Sequence, residues 1–392
     1  MPRKRTWIVG GTLLALIAAL GVGQAALEAR AEAEAAEMVE VPLFEVDPLW
    51  PQPLPNHWIL GSAIGVGVDS RDRVYVIHRR ESLNERTEML AAYDPPRADC
   101  CVAAPNVLVF DGAGELVDHW GGPGEGYDWP SSNHGITVDP KDNVWIGGNG
   151  RDDSHILKFT RDGEFLFQVG HPAEGVASRS TERLGGVAKI SFTAEGDEAY
   201  VADGYRNKRV AVLDASTGEF LRMWGAYGNE PRDVELGPYD PDAPAAQQFR
   251  TPVHCAEPTD DGLVYVCDRV NDRIQVFRLD GTFVEEKRIA PETLGDGSVW
   301  DIAFSRDPEQ RFIYLADGAN MRIYVIDRES LEILTTFGDG GRQPGQFFAV
   351  HSIATDSQGN IYTTETYEGK RVQKFVYQGM GTVEKGSDQG TV

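Results

Sequence analysis

Residues 187–225, VAKISFTAEGDEAYVADGYRNKRVAVLDASTGEFLRMWG, contain four short apolar runs separated by polar turns. Each run has the length and the β-branched and aromatic content of a strand. Related stretches recur roughly every 40–50 residues, a period typical of a propeller blade. The sequence therefore predicts an all-β, six-bladed β-propeller, in which each sheet packs on its two neighbours. The other copies lie at 65–121, 134–170, 254–287, 301–338 and 351–379.

The sixth copy lacks a fourth strand, and residues 40–60 are expected to supply it and so remove two open sheet edges. The predicted propeller spans residues 41–380, and a disordered tail is expected over 381–392. Two long segments, 80–105 and 226–250, interrupt the repeats. Such insertions lie on the rims of a propeller, where they can wall a site.

The first 26 residues have the pattern of a targeting segment. Arg3, Lys4 and Arg5 precede an apolar run from Trp7 to Ala26. A cleaved signal peptide and a signal anchor formed by residues 7–26 remain alternatives. Both place the rest of the chain outside the cytoplasm, periplasmic or secreted, with membrane contact only through this segment if it is retained. Residues 27–40 are predicted to be a spacer.

The charge balance excludes one class of partner. Against 37 Lys and Arg there are 61 Asp and Glu, a formal net charge of −24, which argues against nucleic acid binding. An acidic surface favours a soluble monomer. Four cysteines fit an oxidising compartment. Cys255 and Cys267 flank a turn almost symmetrically, so a cross-strand disulfide is predicted, whereas the adjacent Cys100 and Cys101 have no obvious partner.

Three of the eight histidines occupy one register of the repeat. His134, His254 and His351 open the first strand of the second, fourth and sixth copies. Because first strands line the channel and alternate blades of six are about 120° apart, the three imidazoles are expected to converge on the axis. Three His nitrogens with an open fourth position are the ligand set of a catalytic zinc site, although iron, copper and nickel also accept imidazole. The alternative is three channel-lining histidines without a metal. The equivalent positions of the other copies lie near Ile64, Ala188 and Asp301.

Two further polar side chains fall near the expected channel mouth. Arg79 ends the second strand of the first copy, and Tyr205 lies in the turn after the second strand of the third. The alternatives are a rim salt bridge for Arg79 and a packed turn aromatic for Tyr205. Recurrent Asp, Asn and Arg residues in these turns are predicted to be structural, tying each turn to the next strand. These sets are Asp203 with Asn207 and Arg209, Asp268 with Asn271 and Arg273, and Asp317 with Asn320 and Arg322.

Several stretches together resemble the lyase domain of the peptide-amidating enzymes, peptidyl-α-hydroxyglycine α-amidating lyase (peptidylamidoglycolate lyase), a propeller with NHL-type repeats. The resemblance rests on DGYRNKRVAVLDASTGEFLRMWG, QFRTPVHCAEP, NHGITVDPKDNVWI and FFAVHSIATDSQGNIYTTETYEGKRVQKF, and covers roughly residues 60–380. It implies that His134, His254 and His351 bind Zn²⁺. It also implies that Tyr205 is the catalytic tyrosine and that Arg79 is the active-site arginine.

The resemblance further implies a structural Ca²⁺ ion, bound by the backbone carbonyls of Val66 and Ile136 and by an Asp side chain. That Asp is Ser352 in this chain, which leaves calcium binding open. Two other positions depart from the family. Ala349 stands where the family has a methionine, and Arg206 stands where it has a disulfide-bonded cysteine.

The implied reaction is cleavage of an α-hydroxyglycine-type carbinolamide, in a small molecule or a peptide, to an amide and glyoxylate. Tyr205 would be the base, and Arg79 with the metal would lower its pKa from about 10. Arg79 would also hold the substrate carboxylate. Two alternatives remain: a metal-dependent lyase or hydrolase for another small substrate, and a non-catalytic NHL propeller that binds peptide or cell-wall ligands. Only the last makes Tyr205 and Arg79 dispensable.

Overall fold

The strands form six four-stranded antiparallel sheets that follow one another along the chain. The computed structural model describes residues 37–390, so the predicted targeting segment over 1–26 and most of the predicted spacer lie outside the described residues. The strands are, in chain order, β1 (Met38–Asp47), β2 (Trp58–Ile59), β3 (Ser62–Val68), β4 (Val74–Arg79), β5 (Val102–Ala103), β6 (Val107–Phe110), β7 (Leu116–Trp120), β8 (Asn133–Val138), β9 (Asn143–Gly148), β10 (His155–Thr160), β11 (Phe165–Gly170), β12 (Val187–Phe192), β13 (Glu198–Asp203), β14 (Arg209–Asp214), β15 (Phe220–Trp224), β16 (Val253–Pro258), β17 (Leu263–Asp268), β18 (Arg273–Arg278), β19 (Phe283–Arg288), β20 (Asp301–Phe304), β21 (Phe312–Asp317), β22 (Arg322–Asp327), β23 (Ile333–Phe337), β24 (Val350–Thr355), β25 (Ile361–Glu365) and β26 (Arg371–Glu384). Short 3₁₀ turns span Arg80–Ser82, Leu90–Ala92, Ala226–Gly228 and Arg269–Asn271.

Each sheet is one blade of a closed ring. From the channel outward, the strand orders are β3-β4-β6-β7, β8-β9-β10-β11, β12-β13-β14-β15, β16-β17-β18-β19, β20-β21-β22-β23 and β24-β25-β26-β1, and β2 pairs with β5 outside the blades. The first strands of neighbouring blades contact one another all the way round, and β24 returns to β3. This confirms the all-β six-bladed propeller.

Hydrophobic side chains between neighbouring blades form the core, and one cluster fills each of the six interfaces. A middle strand has a blade on each side, so both of its faces are buried, as along Val74–His78 of β4. Outer strands instead alternate between inward and exposed residues, as in β7, where Val117 is 50% exposed. The apolar runs of the repeat thus mark the middle strands.

The turn between the third and fourth strands packs each blade on the preceding one. Gly163 and Gly281 have φ values of +84° and +88°. A Cβ atom on Gly163 would lie 2.7 Å from the ring of Trp120, and one on Gly281 would lie 2.8 Å from the ring of Trp224. Glycine alone tolerates both this backbone conformation and this close approach. The recurring turn glycine and the terminal aromatic of the repeat are therefore two sides of one contact.

A strand from the start of the described chain closes the ring. β1 pairs antiparallel with β26, from Met38 opposite Glu384 to Asp47 opposite Lys374. This confirms that the segment beginning near residue 40 supplies the outer strand of the last blade and covers its edge. The pairing also moves the boundaries, because β1 begins inside the predicted spacer and β26 continues past residue 380.

The C-terminal segment up to residue 390 differs from the disordered tail that the sequence predicts. Residues 381–384 belong to β26. Beyond them, the amide of Thr336 donates to the carbonyl of Ser387 (3.1 Å), and the amide of Gln389 donates to the carbonyl of Thr336 (2.8 Å). The segment lies against β23, the outer strand of blade 5. Its polar composition gave no sign of this pairing, because the partner edge exists only once the ring has formed.

Both cysteine pairs are bonded in the structure. Cys255 and Cys267 are register partners across β16 and β17, with Cα atoms 4.8 Å apart, as the predicted disulfide requires. Cys100 and Cys101, which lacked an obvious partner, are bonded to each other. No free cysteine occurs within residues 37–390. In the same range, no helix combines the length and the apolar content needed to cross a bilayer.

The predicted turn pairings form in two blades of three. In blades 3 and 4 the buried Asp accepts hydrogen bonds from the Arg Nε at 2.8 Å and from the Asn Nδ2 at 2.7 Å. In blade 5, Asn320 bonds Asp317 in the same way. Arg322, however, donates to the carbonyl of Asn320 at 3.5 Å, so the Arg–Asp pairing predicted there is wrong. Arg322 is partly exposed to water, which competes for its charge.

Candidate metal centre and channel mouth

Three histidines meet on the axis of the ring. His134 of β8, His254 of β16 and His351 of β24 are only 2–4% exposed, and their ring centroids lie 4.7–5.1 Å apart. One nitrogen from each lies within 4.8 Å of those of the other two. The convergence expected from their shared register on alternate blades is therefore found.

Each imidazole is oriented by the next blade around the ring. The Nδ1 atom donates a hydrogen bond to a backbone carbonyl at the start of the neighbouring first strand. Since a carbonyl only accepts, Nδ1 carries the proton, and Nε2 is unprotonated. In blade 5 the acceptor is the carbonyl of Trp300, one residue before Asp301, the position that the repeat alignment indicates. The bonds run from His134 to Ala188 (2.8 Å), from His254 to Trp300 (2.5 Å) and from His351 to Ile64 (2.8 Å).

The three rings are neutral at neutral pH. Burial lowers the pKa of each, and nearby imidazoles and arginines lower it further. The pKa of His351 falls to about 3, and those of His134 and His254 fall well below their usual value. Three neutral nitrogens fit a divalent transition-metal ion with an open coordination position. The donor set alone does not distinguish zinc from iron, copper or nickel.

Tyr205 lies directly over the cluster of three histidines. Its Oη is 2.6 Å from Nε2 of His134 and 3.2 Å from Nε2 of His254. Burial raises the pKa of Tyr205, while Arg269 and Arg79 act in the opposite direction. Arg79 therefore acts in the predicted direction, and Arg269 acts with it, but within the protein itself the net shift is upward because desolvation of the phenolate is larger.

Arg79 is fixed beside the tyrosine by blade 2. Its Nε donates to the carbonyl of Asn133 (3.2 Å), and its Nη2 donates to Oδ1 of Asn149 (2.8 Å). The preceding His78 is fully buried and bonds two backbone groups of blade 1, so its role is structural. These two hydrogen bonds hold Arg79 at the channel mouth, and its role there stays a prediction.

Sequence reasoning missed a second arginine at the mouth. Arg269 is 6% exposed, and its guanidinium carbon lies 4.5 Å from the ring centre of Trp300. Its Nη2 is 3.3 Å from Oδ1 of Asp296. The signal was present in the repeat, because Arg79, Asn149 and Arg269 hold the same register just after the second-strand core of blades 1, 2 and 4.

The positions at which the resemblance implies calcium lie deeper in the channel. Ile136 lines a small space of about 10 Å³ next to the histidines, and Val66 lines a cavity of about 340 Å³ at the opposite end. The side chain of Lys189 borders both. Ser352, which stands in place of the family's Asp, donates its hydroxyl to Oδ2 of Asp301 (2.9 Å).

Arg206 ties the tyrosine turn to blade 2, at the position where the family has a disulfide. Its guanidinium donates to the carbonyl of Gly150, to the carbonyl of Asp153 (2.6 Å) and to Oγ of Ser154 (3.0 Å). These bonds cross-link the turn that carries Tyr205 without a covalent bond.

No family model matches the sequence. The chain is 23% identical over 359 residues to Peptidyl-alpha-hydroxyglycine alpha-amidating lyase 1 of Drosophila melanogaster, covering 84% of this chain and 59% of that protein. It is 26% identical over 248 residues to Peptidyl-glycine alpha-amidating monooxygenase B of Xenopus laevis, covering 62% of this chain and 26% of that one. The chain thus spans less than two thirds of both relatives.

NHL repeat-containing protein 3 of Mus musculus is 24% identical over 358 residues, covering 86% of this chain and 85% of the mouse protein. Among solved structures, the β-propeller domain of Cps50 (Swd1) from Myceliophteria thermophila has a TM-score of 0.48 at 11% identity, covering 83% of this chain and 99% of that one. The chain is thus similar, at low identity, to an amidating lyase, to an amidating monooxygenase and to an NHL-repeat protein.

Proposed function

We propose that the protein is a metal-dependent carbon–nitrogen lyase that cleaves an α-hydroxyglycine-type carbinolamide to an amide and glyoxylate. One observation carries the proposal: three neutral imidazoles, a phenol and two arginines, one buried and one partly buried, meet at one end of the channel. The low-identity similarity to the fly amidating lyase supports the same reaction class.

The three histidines would hold the metal ion, and zinc is the ion we propose because an open three-histidine site is the ligand set of catalytic zinc. When bound, the ion supplies a Lewis acid for oxygen atoms of the substrate. The hydrogen bonds from the three Nδ1 atoms to backbone carbonyls keep each Nε2 unprotonated and fix the orientation of the rings. The Tyr205 hydroxyl, which contacts Nε2 of His134 and His254, would give up these contacts when the ion binds.

The two arginines suit the carboxylate of the hydroxyglycine unit. Arg79 is held by two hydrogen bonds from blade 2, and Arg269 is held between Trp300 and Asp296. A planar guanidinium pairs with a carboxylate through two parallel hydrogen bonds. Because both groups are already fixed, little side-chain entropy is lost when the substrate binds.

Tyr205 is the proposed base. In its ionised form it takes the proton of the carbinol hydroxyl, and the electron pair of that O–H bond becomes the second C–O bond of glyoxylate. The C–N bond then breaks, and the amide nitrogen receives the proton. Arg79 and Arg269 favour the phenolate that this step requires, against the effect of burial.

The test is glyoxylate release from a synthetic α-hydroxyglycine compound by the purified full chain, with zinc loaded and after removal of metal by a chelator. Release that depends on metal is the expected result. A folded chain that contains one metal ion but releases no glyoxylate would move the proposal to the alternative, a metal-dependent lyase or hydrolase for another small substrate.

A non-catalytic propeller that binds peptide or cell-wall ligands is the second candidate. It is favoured by the similarity to the mouse NHL-repeat protein, which extends over most of both chains. This candidate predicts that substitution of Tyr205 or Arg79 leaves the function intact, whereas the lyase does not tolerate either change.

The proposed location of the protein is outside the cytoplasm, where it acts as a monomer on a small-molecule or peptide substrate. The basic and apolar pattern of residues 1–26 and the two cysteine pairs support export. Protease accessibility of the chain in intact cells, before and after permeabilisation of the outer envelope, tests this.

A further inference from the structure

Directly beneath the three histidines, the channel holds a cluster of charged side chains that the proposed chemistry does not use. The Nζ of Lys189 lies 2.7 Å from Oδ1 of Asp301 and 2.9 Å from Oε1 of Glu257. These side chains are 12%, 2% and 16% exposed, respectively. Ser191 donates to Oε1 of Glu257 (2.7 Å), and Ser352 donates to Oδ2 of Asp301 (2.9 Å).

The cluster is the next layer of the same channel. Lys189 and Asp301 directly follow Ala188 and Trp300, whose carbonyls orient two of the histidines. Ser352 directly follows His351. The four blades from the third to the sixth thus contribute one cation, two carboxylates and two hydroxyls to a single point on the axis.

The ammonium is charged in this setting. Burial acts to lower the pKa of Lys189, but the charges of Asp301 and Glu257 outweigh it and raise the pKa above its usual value. Burial likewise raises the pKa of Glu257, and Lys189 opposes that shift. Burying a carboxylate without a nearby cation would destabilise the fold, because its charge would lose hydration without compensation. The lysine therefore allows Asp301 and Glu257 to be buried in the channel.

We propose that Lys189 is the axial cation of this propeller and takes the place of the calcium ion that the resemblance implies. Calcium requires six to eight oxygen ligands at about 2.3–2.6 Å. The oxygens of Asp301 and Glu257 that face the axis already contact the ammonium, and a divalent ion within reach of them would lie against a like charge. The residues present therefore do not fit calcium.

The first experiment is calcium titration of the full chain after treatment with a chelator, followed by calorimetry and thermal unfolding. No binding heat is expected, and the unfolding temperature should be the same in calcium as in the chelator. Saturable binding of one calcium ion per chain to the wild-type protein, with a higher unfolding temperature, would overturn the proposal.

The second experiment removes the internal cation by Lys189→Met, which keeps the length of the side chain. With two carboxylates left facing the axis, the variant should bind one calcium ion. Its unfolding temperature should rise by roughly 5 °C at a hundredfold excess of calcium over the Kd. A folded Lys189→Met protein that binds no calcium would show that the lysine is not what excludes the ion.

Lys158→Met is the matched control. Lys158 is also buried, 3.4 Å from Oδ2 of Asp139, but lies in β10, away from the channel. This variant should gain no calcium response. If Lys189→Met does not fold, the further changes Asp301→Asn and Glu257→Gln should restore folding without calcium binding, and failure of that neutral set would contradict the charge argument. None of these readouts uses glyoxylate release, so they stand apart from the proposed lyase activity.

Discussion

The turn that carries Arg269 is held by a buried carboxylate, and neutralising it should stabilise the protein. Asp272 is fully buried, and its Oδ1 accepts hydrogen bonds from the amide (2.8 Å) and the hydroxyl (3.1 Å) of Ser298. Its own amide donates to the carbonyl of Arg269 (3.1 Å). No ion pair to this carboxylate forms within residues 37–390. Its φ is +51°, a left-handed conformation that asparagine also adopts readily. The perturbation is therefore Asp272→Asn.

The magnitude follows from the pKa of the carboxyl. Burial raises the pKa of Asp272 from 3.8 to about 7, although the hydrogen bonds from Ser298 oppose the shift. Between these two values the unfolded chain releases the proton and the folded chain keeps it, so stability falls as the pH rises, by about 1.4 kcal/mol per pH unit. Above about pH 7 the accumulated cost is about 4 kcal/mol, and an amide avoids it.

The assay is urea unfolding of the wild-type protein and Asp272→Asn at about pH 4 and about pH 8. The variant should be more stable by about 2–4 kcal/mol at the higher pH and nearly equal to wild type at the lower. Equal differences at both pH values would refute the assignment of the effect to ionisation. A variant less stable than wild type at the higher pH would show that the charged Asp272 carboxylate stabilises the fold, contrary to this prediction.

Three predictions concern the site. Tyr205→Phe should reduce glyoxylate release about 10²–10⁴-fold while bound zinc stays constant, and near-normal turnover would remove the base assignment. Arg269→Gln should lower kcat/KM roughly 10–150-fold, a loss of about 1.5–3 kcal/mol in transition-state stabilisation, mainly through a higher KM, because it removes a charged hydrogen-bond donor. Arg322→Gln, on the blade 5 turn, is the matched control and should leave kcat and KM unchanged. His254→Ala should lose zinc on dialysis, as measured by atomic absorption, and full retention would show that the metal lies elsewhere.

The architecture was accessible from sequence because a propeller repeats its local pattern. Each blade must bury both faces of its middle strands, so the apolar runs and the turn glycines recur with one period. The same period exposed the histidines, since a first-strand position in one blade maps onto the channel in every blade. Arg269 shares a register with Arg79, but its place at the channel mouth depends on its contacts with Trp300 and Asp296, which come from a distant part of the chain.

Other features depend on contacts that no local pattern encodes. Arg79 and a bound metal are predicted to lower the pKa of Tyr205, whereas in the protein itself burial outweighs the arginines. The extent of that burial is known only from the packed channel mouth. The end of β26 and the pairing of residues 387–389 depend on the edges that β1 and blade 5 present. The residues at the implied calcium positions do not predict the ammonium of Lys189 at the axis, because this lysine comes from a different blade.

The number of blades, the closure by an N-terminal strand and the three histidines on alternate blades can be predicted from the sequence, because they follow from its periodicity. Which side chains meet depends on the folded ring. His351 is oriented by the carbonyl of Ile64, 287 residues away, and Lys189 pairs with Asp301, 112 residues away. Such pairs arise only when the ring closes and brings distant first strands to one axis. In the channel, the removal of water then sets the protonation of the histidines and the need for a cation beneath them.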